Sequence, residues 1–477
     1  MSLNKQLADV NVITKGRFTN KPYTYLVPEH LENTIAVNDL VCIPFNNREI
    51  DGIIRKVYNE IPNDKYSYLY IKSIKSNVDK TLLKYIEKVS DFYINPIGHS
   101  IFYYFSDFIG QKTMTKCKAN ESSDYYFGID CRKLLLNNLK KEAINIIYCP
   151  SLKIINDISK YLENFKINIV FKQTAGGKKE QKLLDSKISD IDKGVVLSLT
   201  TGIFNPQLDK GEIFKHFWDI NHYKYNEDRK PNFHLIDVAN IQNTYTHHKH
   251  IYYGEFPNYK YVVSNENIKF KLPDLNSTYF YGNTVKDALN SLVSYKSDFN
   301  ISEATFNLDY CSTHLKNNIS EYMNIDGGLR LYKESSKISD INILVEPTIS
   351  HNRILNSSSL SKLVRYLYRL SNSNSKLFIV TTNDNEILST LTEDNINMWL
   401  SEEFIHRNKY GPNHKKKVIE IYSKDPISIN NLDIKGPIKD QNNNMYQYQL
   451  TYDYNDSYQA NIYDKLKKFN YSFINYF

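Results

Sequence analysis

A few stretches of this 477-residue sequence bring together side chains that could do chemistry. Gly176-Gly177-Lys178-Lys179 offers pliant backbone and two ammonium groups, the ingredients of a phosphate-holding loop. A nucleotide loop needs G-x-x-x-x-G-K-[ST], and both the first Gly at that spacing and the closing hydroxyl are missing. Lys178 and Lys179 therefore read as an exposed basic loop able to touch a nucleic-acid phosphate. Asp219 and His222 pair a carboxylate with an imidazole, but Ile220 between them can neither bind a metal nor take a proton. His247, His248 and His250 suggest a metal. Adjacent histidines in a polar run point in different directions, which favours a surface loop. Lys415-Lys416-Lys417 reads as a solvated face, with phosphate contact as the alternative.

These residues must be held by strands and helices that the pattern makes legible. Tyr23, Tyr25 and Val27 alternate with Thr24 and Leu26, and a second strand, Leu40 to Ile43, is expected to stop at Pro44. Gly52-Ile53-Ile54 follows the polar turn Asn46-Asn47-Arg48. Asp79 can cap a helix with apolar steps at Leu82, Ile86, Val89 and Tyr93, ended by Pro96 and Gly98. Residues 111–124 read as a linker. Beyond it, a strand at Ile144–Tyr148, a helix with Ile154, Ile158 and Leu162 on one face, and strands at 167–171 and 195–199 alternate as βαβ units do, which implies a parallel sheet. Further strands are expected at 341–345 and 377–381. The tail from Val418 returns to β alternation and is expected to end in a short helix and an aromatic segment.

Composition narrows the classes. The charged and apolar fractions are those of a globular chain, and no apolar run is long enough to span a bilayer or to form a secretory h-region, so a cytoplasmic protein is expected. Five dispersed cysteines, Cys42, Cys117, Cys131, Cys149 and Cys311, contain no C-x-x-C pair and exclude a zinc ribbon. The 60 basic against 53 acidic residues and the 39 tyrosines permit nucleic-acid binding, but an AT-rich genome explains such composition as well. No cofactor or metal is expected.

Order along the chain carries more. Tyr23-Thr24-Tyr25-Leu26-Val27-Pro28, then Val41-Cys42-Ile43-Pro44-Phe45 and Asp51-Gly52-Ile53-Ile54, then Phe92-Tyr93-Ile94-Asn95-Pro96-Ile97-Gly98, resemble the opening motifs of the primosomal protein N′ (PriA) family. Thr24 stands where that family has an Asp between aromatics, and Asn46 where a Gly follows Pro-Phe. Leu199 to Pro206, Phe217-Trp218-Asp219-Ile220-Asn221-His222 and Pro231 to Ala239 are similar to its middle motifs, with both glutamates of D-E-E-H replaced. Gly128 is what remains around the family's phosphate loop, and Arg369 matches the last Arg of G-R-A-G-R. Glu403 to Arg407, Tyr410-Gly411-Pro412, Lys435-Gly436-Pro437 and Tyr446 to Leu450 continue the likeness. The family's winged helix has no room, and its cysteine-rich zinc module is absent from this sequence.

The resemblance implies an α/β chain: a small β-rich domain (1–110) like the family's 3′-end DNA-binding domain, a linker (111–124), two helicase-like, RecA-like parallel-sheet lobes (125–265 and 266–400) and a short α+β C-terminal domain (401–477). It implies binding of forked or branched DNA and recruitment of single-stranded DNA-binding protein and other primosome components in replication restart. With Gly128, Asp219, His222 and Arg369 as a vestigial nucleotide site, no ATP-driven unwinding is expected. The DNA-binding residues expected are Tyr23, Thr24, Tyr25, Phe45, Asn46, Arg48, Lys178 and Lys179. An active helicase with divergent motifs and a scaffold that does not touch DNA are the alternatives.

Overall fold

The computed structural model describes residues 5–15, 22–60, 67–93, 95–109, 123–127, 131–205, 212–220, 222–227, 233–246, 248–254, 268–270, 277–294, 305–307, 341–345, 370, 376–382, 416–423, 426, 434–440, 445–453 and 471–476. In chain order the elements begin β1 (Lys5–Val12), β2 (Tyr23–Leu26), β3 (Asp39–Phe45), β4 (Arg48–Glu60), β5 (Ser73–Asn77), α1 (Lys80–Phe92) and α2 (Ile97–Ser100). There follow β6 (Ser123–Phe127), α3 (Cys131–Asn138), β7 (Ile144–Cys149), α4 (Leu152–Asn164), β8 (Ile169–Lys172), α5 (Lys178–Asp190), β9 (Gly194–Leu199) and β10 (Ile213–Phe217). Next come β11 (Asn226–Glu227), β12 (Phe233–His234), α6 (Leu235–Asn243), β13 (Lys249–Gly254), β14 (Ile268–Phe270), β15 (Ser277–Gly282) and α7 (Val285–Ser294). The last are β16 (Thr305–Asn307), β17 (Ile341–Val345), β18 (Lys376–Thr382), β19 (Lys416–Ser423), β20 (Ile434–Asp440), β21 (Met445–Asp453) and β22 (Tyr471–Tyr476). Two compact units result, one from residues 1–123, 139–251 and 412–477, the other from 124–138 and 252–411.

The first unit opens with an antiparallel sheet in the order β2-β1-β4-β3-β5. Leu26 at the β2 edge bridges Tyr70, just ahead of β5, and exchanges hydrogen bonds with Leu69 and Ile71, so the sheet closes on itself as a small barrel. Its interior is Ala8, Val10, Val12, Tyr25, Val27, Val41, Ile43, Ile54 and Ile71. β3 runs through Pro44 rather than stopping there. The reason is positional: β5 pairs only with Asp39–Cys42, so Pro44 has a neighbour on one side alone and its missing donor breaks no ladder. Asp79 caps α1 as its sequence implies, accepting from Thr81 N at 2.8 Å and Leu82 N at 2.9 Å. α1 buries Leu82, Leu83, Tyr85, Ile86 and Val89, and Pro96 starts α2 rather than ending the helical stretch.

In the same unit, β10, β7, β9 and β8 lie side by side and all parallel, with α4 and α5 as crossovers. This is the βαβ arrangement expected from the alternation. Every residue of β7 is buried, as a strand covered on both faces requires. The stripe on α4 is Ile155, Ile158 and Leu162, with Ile154 only partly covered. Residues 416–476 form an antiparallel sheet, β20-β21-β19-β22. The aromatic end of the chain, Tyr471–Tyr476, is a strand paired with β19. The helix expected before it lies outside the described residues.

The second unit contains the parallel pair β14 and β6, and a parallel sheet β15-β18-β17-β16. α7 packs on β15 and β18 through Ala288, Leu289 and Leu292. The strands expected at 341–345 and 377–381 are β17 and β18.

Candidate nucleic-acid interface

The residues expected to meet DNA are divided by the geometry of one strand. Successive side chains of β2 point to opposite faces. Tyr23 and Tyr25 share the inner face with Phe45: the Tyr23 and Phe45 rings meet edge-on at 5.1 Å, and the Tyr25 hydroxyl donates to Pro44 O at 3.1 Å. Tyr25 is buried and its phenol is pushed up to about 12, by burial first and Tyr23 second. Tyr23 is 39% exposed, so the aromatic pair is only partly covered.

Thr24 points the other way. Its hydroxyl donates to Asp9 Oδ1 at 2.8 Å, and the Tyr58 hydroxyl donates to the same oxygen at 3.1 Å. Lys56 lies over the Tyr58 ring, 4.6 Å from its centroid. Burial, ahead of the other causes, raises the Tyr58 phenol. Asp9, Lys56 and Tyr58 were not among the expected site residues. The signal was present, since Asp9 and Asn11 alternate with Val10 and Val12 as in a half-buried strand.

Asn46 and Asn47 form the turn between β3 and β4 with φ of 49° and 60°. Two consecutive positive values define the tight hairpin turn that matches strand twist, and Asn is among the residues that accept it. Asn46 thus meets the backbone demand a Gly would meet. Arg48 leaves the turn exposed, opposite Phe45.

The remaining basic candidates lie at α5. Gly177 takes φ 119° and Lys178 begins the helix, whose first turn holds Glu180. That carboxylate accepts from Thr174 N at 2.8 Å and Thr174 Oγ1 at 3.0 Å. A negative charge already occupies the positive end of the helix, which weakens it as a phosphate site. Lys179 is exposed, and the Lys178 side chain lies outside the described residues.

Asp219 and His222 follow β10. Asp219 sits at φ 55°, and the turn closes by His222 N donating to Asp219 O at 2.9 Å. Ile220 is buried, a core side chain where the family carries a carboxylate. Tyr225 donates its hydroxyl to the carbonyls of Tyr148 and Trp218, which fastens the segment to the end of β7. Gly128, Arg369, Asn221, Lys415 and His247 lie outside the described residues.

The histidine run departs from the expectation of a surface loop. His248 and His250 are buried, one before and one within β13, two apart and so on one side of the strand. His250 packs on Phe217 at 5.3 Å. Beside it Lys215 is fully buried and donates to Gln242 Oε1 at 2.6 Å, and His216 lies 3.3 Å from Asn145 Oδ1. Burial drives all three towards neutrality: Lys215 well below its ordinary value, His216 down to about 3, and His250 well down with help from the Lys215 charge. Among the described residues no cluster could hold a metal, and no helix is long and apolar enough to cross a membrane.

Known proteins resemble this chain over part of its length. Structural neighbours include an arterivirus helicase, nonstructural protein 10, solved with DNA (12% identity, 74% of this chain and 73% of that one, TM-score 0.26). Another is the DUF1998 helicase MrfA (10% identity, 70% and 54%, TM-score 0.26). Replication restart protein PriA of Rickettsia conorii is 31% identical over 78 residues, which cover 16% of this chain and only 12% of that protein's length. Residues 10–105, running from within β1 past α2, match the family of the PriA 3′ DNA-binding domain.

Proposed function

We propose that this chain binds forked or branched DNA in replication restart and recruits other replication proteins, single-stranded DNA-binding protein among them, without ATP-driven unwinding. The observation that carries the reading is the match of residues 10–105 to a 3′ DNA-binding domain, on a barrel that leaves Tyr23 exposed against Phe45. Exposed Arg48, opposite Phe45 in the ladder, supplies a cation for the phosphate backbone. The absence of ATP chemistry is supported by two features. Ile220 is a core side chain where an attacking water would need a carboxylate. Three residues separate β6 from α3, fewer than the six of G-x-x-x-x-G that precede the Lys of a phosphate loop.

Fluorescence anisotropy at low salt with a labelled fork tests the reading. Binding that weakens steeply as salt rises is expected, together with ATP hydrolysis that stays at the level of a mock preparation when DNA is added. Failure to bind any fork would sink the DNA role, and DNA-stimulated hydrolysis would restore the active helicase.

A further inference from the structure

The helical path that begins as α2 changes pitch after one turn. Beyond Ile97–Ser100 the chain runs through a π-helical turn, Ile101–Phe105, with Ser100 and Ser106 on either side in ordinary right-handed conformation. A π turn set in such a path holds one residue more than an α turn would, and so carries one residue of slack. Both of its ends are fastened. A Cβ on Gly98 would strike the Val12 carbonyl of β1, so the start is seated against the barrel. Past the turn Phe108 is buried and Lys182 of α5 meets Asp107 at 3.1 Å, which holds the far end on the side of the β7–β10 sheet.

Three aromatic side chains of the turn divide the seam between them. Phe105 is buried against Tyr85 and Phe204, with ring centroids 5.7 and 5.5 Å away. Tyr104 lies flat on Phe204 at 4.1 Å and edge-on to Phe233 at 5.4 Å. Tyr103 is 38% exposed and leans on His99 at 4.9 Å. Moving the slack by one position turns the residue it passes by about 100° about the helix axis. Passage from before Tyr104 to behind it leaves Phe105 in place and brings Tyr103 to the ring of Phe204. The incoming side chain is again a tyrosine, so the stack is rebuilt rather than lost.

We propose that the π turn is a two-register switch at the seam between barrel and sheet, in which Tyr103 and Tyr104 exchange places on Phe204. In one register Tyr103 faces solvent beside His99, and in the other Tyr104 faces solvent about a quarter-turn away. The surface next to the barrel thus has two aromatic arrangements while the core beneath stays closed.

Hydrogen exchange of the β7 amides in the full chain reads each substitution as a rise in the opening constant. The two tyrosine rings lie 6.4 Å apart. In a single fixed register such contact makes the doubly substituted chain cost no more than the product of the two single effects. In a switch each tyrosine replaces the other, so the double substitution costs more than that product. Tyr104→Ala is expected to raise the opening constant by no more than about tenfold, against the hundredfold or more of an irreplaceable buried aromatic, and Tyr103→Ala by less. The doubly substituted chain should exceed the product of the two by about tenfold. A value equal to or below the product overturns the proposal. Deleting Tyr103 takes out the slack, and in that chain Tyr104→Ala should cost about tenfold more than it does in the wild type. An unchanged cost there overturns the proposal as well. Should the deletion variant fail to fold, the two substitutions and their combination decide alone.

Discussion

Asp185 and His216 pull the stability of the first unit in opposite directions as pH changes. Burial lifts the Asp185 carboxyl to about 6, although Asn205 and Gln181 donate to its Oδ1 at 2.9 and 3.2 Å. Its folded form holds a proton more firmly than the unfolded chain, so its contribution is complete below about 3.8 and is lost as pH rises through about 6. His216, held down near 3, contributes above about 6.5 and loses that contribution as pH falls towards 3. The two nearly share a window. Asp185→Asn should therefore make the melting temperature climb more steeply between about pH 4 and pH 6 than in the wild type, in thermal scans at fixed salt. A slope equal to or shallower than the wild type's would show that Asp185 is not protonated in the folded state. Neither group was legible as a titrating centre in the sequence. Burial sets both shifts, and burial is a property of the packed sheet.

At the scale of elements, local chemistry was readable where one residue settles the backbone. Asp79 announces α1 because a carboxylate before an apolar stripe can accept the first free N–H groups. The Asn46-Asn47 pair announces the hairpin, though not that two left-handed residues make it tight. Asn47→Gly should stabilise by about 0.5–1 kcal/mol, since Gly takes positive φ without a Cβ penalty, and Asn47→Val should destabilise by more. Denaturant titration of both variants checks this pair. What could not be read was set by distant partners. Pro44 stays in β3 because β5 begins opposite Cys42, and Gly98 is dictated by a strand nearly ninety positions earlier in the chain. A Cβ at residue 98 would run into the Val12 carbonyl, so Gly98→Ala should cost about 2 kcal/mol or more in the same assay. The candidate site shows the same division. Tyr23, Tyr25 and Phe45 were expected together and are together, whereas Thr24 belongs to a second cluster whose carboxylate comes from β1.

Within the first unit, the barrel and its helices are joined to the β7–β10 sheet by a buried seam. Tyr85 of α1 is fully buried, with its ring against Phe105 and Tyr245 at 5.7 and 5.9 Å. Gln242 of α6 accepts from Lys215 and donates to Ile203 O at 2.8 Å and towards the Tyr85 hydroxyl at 3.5 Å. The Tyr93 hydroxyl takes His234 N at 2.9 Å, and Tyr104 stacks on Phe204 at 4.1 Å. Such a seam makes barrel and sheet unfold together. Tyr85→Ala should cost about 3–5 kcal/mol and separate the two, read by hydrogen exchange as β1 and β7 amides that no longer share one opening free energy. The wild type should show them exchanging as one cooperative body.

That seam also decides how the chain can be cut. Barrel closure through Leu26 and Tyr70 invites excision of a module ending near residue 110, because a closed sheet offers few raw edges for another chain to pair with. Excised there, however, the module would lose the Tyr245, Phe204 and His234 partners that cover Tyr85, Tyr93, Tyr104 and Phe105 from the sheet side. Its solubility would then depend on those four aromatic positions rather than on the barrel. A fragment meant to stand alone needs them replaced by polar residues before anything about its ligand is measured.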